Sequence, residues 1–174
     1  MTSSGNPIVS GPYPGGLYHP AFEHDACGVG MICDLRNRRT HALVRDALQI
    51  LVNLTHRGAC GCDETTGDGA GILLQTPHAF LETAARQAGI HLPAEGEYAA
   101  GLVFLPTDKP SRKAAEAVVA QSVQDHGLTF LGWRPVPVNP EACGDLARRV
   151  MPVIQMALVG KGDAEGFERR LYLA

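Results

Sequence analysis

Short apolar runs that alternate with helix-periodic segments predict a mixed α/β domain. Two global features agree with this. The 174 residues suit one domain or a large piece of one, and a hydrophobic content of 45% is enough to build a packed core. The direction of strand pairing cannot be read from these patterns.

The elements follow in order. Residues 1–20 hold four prolines and four glycines, which predicts a flexible or extended leader. Residues 28–35 (GVGMICDL) form a short apolar run bounded by turn signals and read as a buried strand. Residues 37–39 make the following turn. Residues 41–55 read as a helix with Leu43, Ala47, Ile50, Leu51 and Leu54 on one face and Thr40 as N-cap. Its expected end is His56-Arg57-Gly58, where Gly58 can take the left-handed position. A loop dense in Gly, Asp and Thr, residues 59–70, leads to a second apolar strand at 71–75. Pro77 suits the first turn of a helix over 78–87. Residues 89–97 are a linker, 98–105 a third strand, and 111–126 an Ala/Val-rich helix. Residues 128–138 hold one or two strands around Trp133. A further strand spans 150–159, interrupted by Pro152, and a helix begins over 164–173. There is no internal repeat.

Composition excludes several functions. A net charge of −3 with 19% charged residues leaves no basic footprint for nucleic acid or an anionic membrane. No apolar run approaches the ~20 residues of a membrane span. The N-terminus has no basic stretch followed by an apolar one, so it is not a secretory signal. The five cysteines, Cys27, Cys33, Cys60, Cys62 and Cys143, are odd in number and argue for a reducing, cytoplasmic setting.

Cys27 is the leading chemical candidate. A lone cysteine is most often a core residue. Here, however, the 26 residues before it look dispensable to the fold, and Gly28 and Gly30 leave the backbone beside the sulfur open to a substrate. Cleavage of the Ala26–Cys27 bond would place the thiol beside a free α-amine with a pKa of about 7.7–8.0, a base that needs no histidine. The basic cluster His56-Arg57 before Gly58 is fully accounted for by a helix C-terminus, which does not preclude a place beside the nucleophile.

The loop Asp63 to Gly71 (DETTGDGAG) is not a P-loop, because no Gly-Lys-Ser/Thr follows. It lacks dinucleotide-binding spacing, and it lacks the closing Glu of an EF-hand. Cys60-x-Cys62 with His56 suggests zinc only weakly, since no second pair exists; no metal site is assigned. The other histidines receive no role, and Trp133 reads as a packing anchor.

The ordered motifs resemble one family. Leu17-Tyr18-His19-Pro20, Asp25-Ala26-Cys27-Gly28-Val29-Gly30, Leu54-Thr55-His56-Arg57-Gly58-Ala59 and Thr66-Gly67-Asp68-Gly69-Ala70-Gly71-Ile72-Leu73 are similar to the start of glutamate synthase large chains. Leu131-Gly132-Trp133-Arg134-Pro135-Val136-Pro137 and Phe167-Glu168-Arg169-Arg170-Leu171-Tyr172 extend the similarity to the last residue.

The resemblance implies a class II glutamine amidotransferase with the N-terminal-nucleophile (Ntn) hydrolase fold. That fold is an α+β, four-layer αββα sandwich of two antiparallel sheets between helices, here expected to be incomplete. It implies a leader at 1–26 and the N-terminal part of the amidotransferase domain at 27–174. Cys27 matches the catalytic nucleophile, and Arg57 and Gly58 match a supporting shell around it. The substrate implied is glutamine, hydrolysed to glutamate and ammonia that aminates 2-oxoglutarate elsewhere in the enzyme. FMN and an iron–sulfur cluster belong to the full-length enzyme and none to this chain. The partners implied are the remainder of the large subunit and a small subunit. The oxyanion-hole and glutamine-gripping residues of the family fall beyond Ala174.

Three other readings compete. Another class II amidotransferase would share Cys27 and Arg57-Gly58, but not the Gly67-Asp68-Gly69 loop and Gly132-Trp133-Arg134 in this form. A non-catalytic regulatory module or fragment would keep its leader. A small metal domain on His56, Cys60 and Cys62 would hold stoichiometric zinc.

Overall fold

The computed structural model describes residues 28–55, 66–67, 69–163 and 165–174. The chain divides into two compact units, one of residues 1–59 and 67–71, the other of 60–66 and 72–174.

In the first unit, α1 (His41–Asn53) forms where the helical period predicts it. The Thr40 hydroxyl accepts from the Leu43 amide at 3.4 Å and so satisfies one orphan donor of the first turn. The predicted apolar face, Leu43, Ala47, Ile50, Leu51 and Leu54, is the half-buried one. The helix stops earlier than expected, with Leu54 as C-cap. Gly58, the expected terminator, lies outside the described residues.

The turn before α1 is built on Asp34. Its carboxylate accepts from the Arg36 amide at 2.7 Å and the Arg38 Nε at 2.9 Å, while Asn37 takes a positive φ of 54°. Asparagine tolerates that conformation better than most residues.

The strand expected at 28–35 is not formed. Val29, Met31 and Leu35 are each at least 90% exposed, and no ladder includes the run. The strand expected at 71–75 is likewise absent, with Leu73 fully exposed. An apolar run states only a preference for burial. A strand also needs a neighbour whose backbone completes its hydrogen bonds, and among the described residues neither run has one.

The second unit contains α2 (His78–Gln87), β1 (Tyr98–Leu105), α3 (Lys109–Asp125), β2 (Thr129–Pro135), a 3₁₀ turn (Pro140–Ala142), α4 (Asp145–Val150), β3 (Val153–Gly160) and α5 (Phe167–Leu173). Pro152 ends α4 and precedes β3, because it cannot donate to a ladder. Two helices close with the same device. At the end of α2, the Ile90 amide reaches the Ala85 carbonyl at 2.9 Å across Gly89, at φ 76°. At the end of α3, the Leu128 amide reaches the Val123 carbonyl at 3.1 Å across Gly127, at φ 71°. Both are Schellman motifs, in which a left-handed glycine lets the chain fold back on the last turn. The linker expected from Gly89 therefore begins as a helix cap.

The three strands form an antiparallel sheet in the order β1-β3-β2. Tyr98 pairs with Gly160 and Leu105 with Val153 along the full length of β1. β2 carries a bulge at Leu131, between the pairs Phe130–Val159 and Gly132–Leu158. The extra residue brings Phe130 and Trp133, three positions apart, onto one face, where their rings lie 5.3 Å apart. That face carries the core: Val123, Leu128 and Val159, packed by Phe130, Phe167 and Leu171. Arg170 ties α5 to this layer by donating to the His126 carbonyl at 2.9 Å, and the Ser122 hydroxyl donates to the Ala174 carbonyl at 2.8 Å. Leu158 at the centre of β3 is fully buried.

Candidate active site

Cys27, Arg57 and Gly58, the three residues singled out by the sequence, lie outside the described residues, as do His56, Cys60 and Cys62. The described residues that flank them show how two of these segments are held. A Cβ at Gly30 would collide with Cγ2 of Ile50, so the strand-like segment that leaves Cys27 lies directly against α1. This corrects part of the sequence reading. The space beside Gly30 is taken by a helix side chain rather than left open for substrate. The same contact secures the helix that leads to Arg57-Gly58.

Asp34 closes this arrangement. The Arg38 guanidinium, followed by the Arg36 amide, holds its carboxyl below the usual carboxylate range. The Arg38 Nη2–Asp34 Oδ2 separation is 2.8 Å. The negative charge therefore persists into acid, and with it the turn that returns the chain into α1.

The loop Thr66 to Gly71 shows two features. Gly69 has φ 100°, which a side chain would resist, and open space where a Cβ would stand. Thr66 carries a buried hydroxyl that no group among the described residues satisfies. Unsatisfied buried hydroxyls are uncommon, because losing water without a replacement bond is costly. The sequence placed Thr66 in a motif but assigned it no role, and hydroxyl burial has no signature in sequence.

Elsewhere, His78 Nδ1 and the Tyr98 hydroxyl are 3.0 Å apart. Burial, reinforced by Glu95 and Glu82, pushes the Tyr98 phenol up. It therefore keeps its proton at neutral pH and acts as a structural link between α2 and β1. A shallow groove of about 780 Å³ beside Gly96, lined by Lys161, Asp163, Glu165 and Phe167, holds no nucleophile paired with a base. Among the described residues no group of three His, Cys, Asp or Glu side chains could hold a metal, and no helix is long and apolar enough to cross a membrane.

The model of the class-II glutamine amidotransferases matches residues 27–174. The chain is 39% identical over 166 residues to "Glutamate synthase [NADPH] large chain" of Bacillus subtilis, covering 93% of this chain and 11% of that protein. It is 37% identical over 182 residues to "Glutamate synthase [NADH]" of Schizosaccharomyces pombe, covering 98% and 9%. It is 40% identical over 154 residues to "Ferredoxin-dependent glutamate synthase, chloroplastic" of Oryza sativa, covering 87% and 10%. An antiparallel sheet with helices on a match of this extent is a class-II amidotransferase domain, and the chain belongs to that family. Within it, the relatives are glutamate synthases, and the chain spans about a tenth of their length.

Proposed function

We propose that residues 27–174 act as the glutaminase part of a glutamate synthase, with Cys27 as nucleophile. The observation that carries this reading is that the family match begins at Cys27 itself. A domain that begins at its nucleophile is what removal of residues 1–26 would produce. The Gly30–Ile50 contact supports it further, because it holds the segment after Cys27 against the helix that leads to Arg57 and Gly58.

The chemistry follows from the residue. The α-amine of a mature Cys27 takes the thiol proton, directly or through a water. The sulfur attacks the side-chain carbonyl carbon of glutamine, an S–C bond forms, and the C–N bond breaks as the nitrogen receives a proton. Ammonia leaves a γ-glutamyl thioester. Water then cleaves the S–C bond, giving glutamate and the free thiol. Arg57 and Gly58 support the nucleophile's surroundings. Donors for the oxyanion are worth a factor of about 10²–10³ each in such sites.

In the whole enzyme, ammonia passes to 2-oxoglutarate for reductive amination at a flavin. FMN and an iron–sulfur cluster are assigned to other parts of the full-length enzyme. The remainder of the large subunit and a small subunit are the partners, and the setting is cytoplasmic. The fold this function uses is the four-layer Ntn sandwich. Its first helix–sheet pair is the β1-β3-β2 sheet under α3 and α5, and a second sheet covers the opposite face.

The test is ammonia release from glutamine by the natural polypeptide. Cys27→Ala should lower kcat by at least ~10⁴-fold, as removal of a nucleophile does in comparable enzymes. Retention of activity in that variant would assign the nucleophile elsewhere.

A further inference from the structure

The triplet Gly132-Trp133-Arg134 is only partly explained by the fold. Gly132, at φ 146°, lies under Ile90, whose Cδ1 would stand 2.9 Å from a Cβ there. Trp133 packs with Phe130 on the helix side of the sheet. Arg134 is opposite Met156, and Met156 is opposite Leu102. Residues directly opposite in antiparallel strands share a face. These three therefore form a row on the face turned away from α3 and α5.

The next row is Val136, Ile154 and Phe104, and the row before it is Gly132, Leu158 and Ala100. Leu158 is fully buried, whereas Met156, Ile154, Arg134 and Val136 are only half-buried and the β1 residues of this face stand open, with Leu102 55% and Phe104 65% exposed. Among the described residues, Arg134 is the one charged side chain in this apolar field; it is half-buried and has no hydrogen bond or ion pair with any of them.

We infer that Arg134 anchors a carboxylate carried by the layer that covers this face. The inference rests on the proposed sandwich, in which that layer is a second sheet. It adds a chemical requirement: apolar side chains over Leu102, Phe104, Ile154 and Met156, and one Asp or Glu over Arg134. An apolar layer without an acid would bury an unpaired guanidinium, at a cost that apolar burial does not offset. A second copy of the same face is also a poor occupant, because it offers only another Arg134 and no acid.

The test places the photoreactive p-benzoylphenylalanine at Phe104 in the whole natural polypeptide, and the crosslinked peptide is identified by mass spectrometry. The expected product is one strand segment that contains an Asp or Glu. Arg134→Glu should lower its yield by roughly tenfold or more, and Arg at the partner acid should restore it. Arg134→Met should also lower the yield, by leaving the acid unpaired.

A crosslink to a strand that lacks an acid, or one indifferent to Arg134→Glu, would overturn the role of Arg134 and leave the sandwich standing. A crosslink to a second copy, or to no polypeptide, would overturn both. Circular dichroism of each variant separates lost pairing from lost folding. A crosslink yield that falls only in variants that have lost their native spectrum would count against the pairing.

Discussion

At the scale of single residues, two side chains make measurable claims. Asp34 has a depressed pKa, owing first to Arg38 and then to the Arg36 amide. A depressed carboxylate adds stability above its unfolded pKa of about 3.9 and loses it as pH falls through its folded value. The turn before α1 should therefore hold at neutral pH and open only in acid, below the ordinary aspartate range. Amide exchange at Arg36 and Arg38 across an acid titration reads this directly, and Asp34→Asn should remove the pH dependence. Thr66 makes the second claim. Its buried hydroxyl has no partner among the described residues, so Thr66→Val should raise stability by about 1 kcal/mol in urea unfolding. A drop in glutamine hydrolysis with unchanged stability would instead show that the hydroxyl serves a ligand.

Neither residue was legible as such in the sequence, because both depend on what three-dimensional neighbours do to one polar group. Cys27 is the opposite case. Its chemistry was suggested by the leader and glycines around it and given a specific reaction by the resemblance, since a cysteine before Gly-Val-Gly is by itself physically ordinary. Its surroundings lie outside the described residues.

At the scale of elements, local rules succeeded where local physics decides. β1 occupies the predicted residues 98–105, and α1 presents the predicted face, because periodicity and capping belong to a single segment. The strands expected at 28–35 and 71–75 failed for the complementary reason, since strand formation depends on a distant partner. The bulge at Leu131 was equally hidden. It depends on β3, and only Gly132 hinted at it. Gly132→Ala should destabilise the sheet by about 1–3 kcal/mol, through strain at φ 146° and the close approach of Ile90. A shift in thermal midpoint reads this, and an unchanged midpoint would mean that β2 re-registers without cost. The two helix caps at Gly89, which the sequence reading takes for the start of a linker, and Gly127 show how much of the second unit's connectivity rests on left-handed glycines.

At the scale of the whole molecule, apolar surface stands open on each unit: Val29, Met31 and Leu35 on the first, and Leu73, Leu102 and Phe104 on the second. Contiguous exposed apolar residues mark surfaces meant for contact. The second unit holds one helix-backed antiparallel sheet, and the chain spans about a tenth of the glutamate synthases it resembles. Family membership rests on the match over residues 27–174, and antiparallel order, which the residue patterns alone did not show but the resemblance implied, is present in the structure. The proposed mechanism requires that the mature domain begin at its nucleophile. Intact mass with N-terminal sequencing of the natural polypeptide, beside a Cys27→Ala control, tests it most directly. The expected result is a mature chain starting at Cys27 and a control that retains residues 1–26. A chain that keeps those residues and still hydrolyses glutamine would contradict it, because Cys27 would then have no free amine to serve as its base.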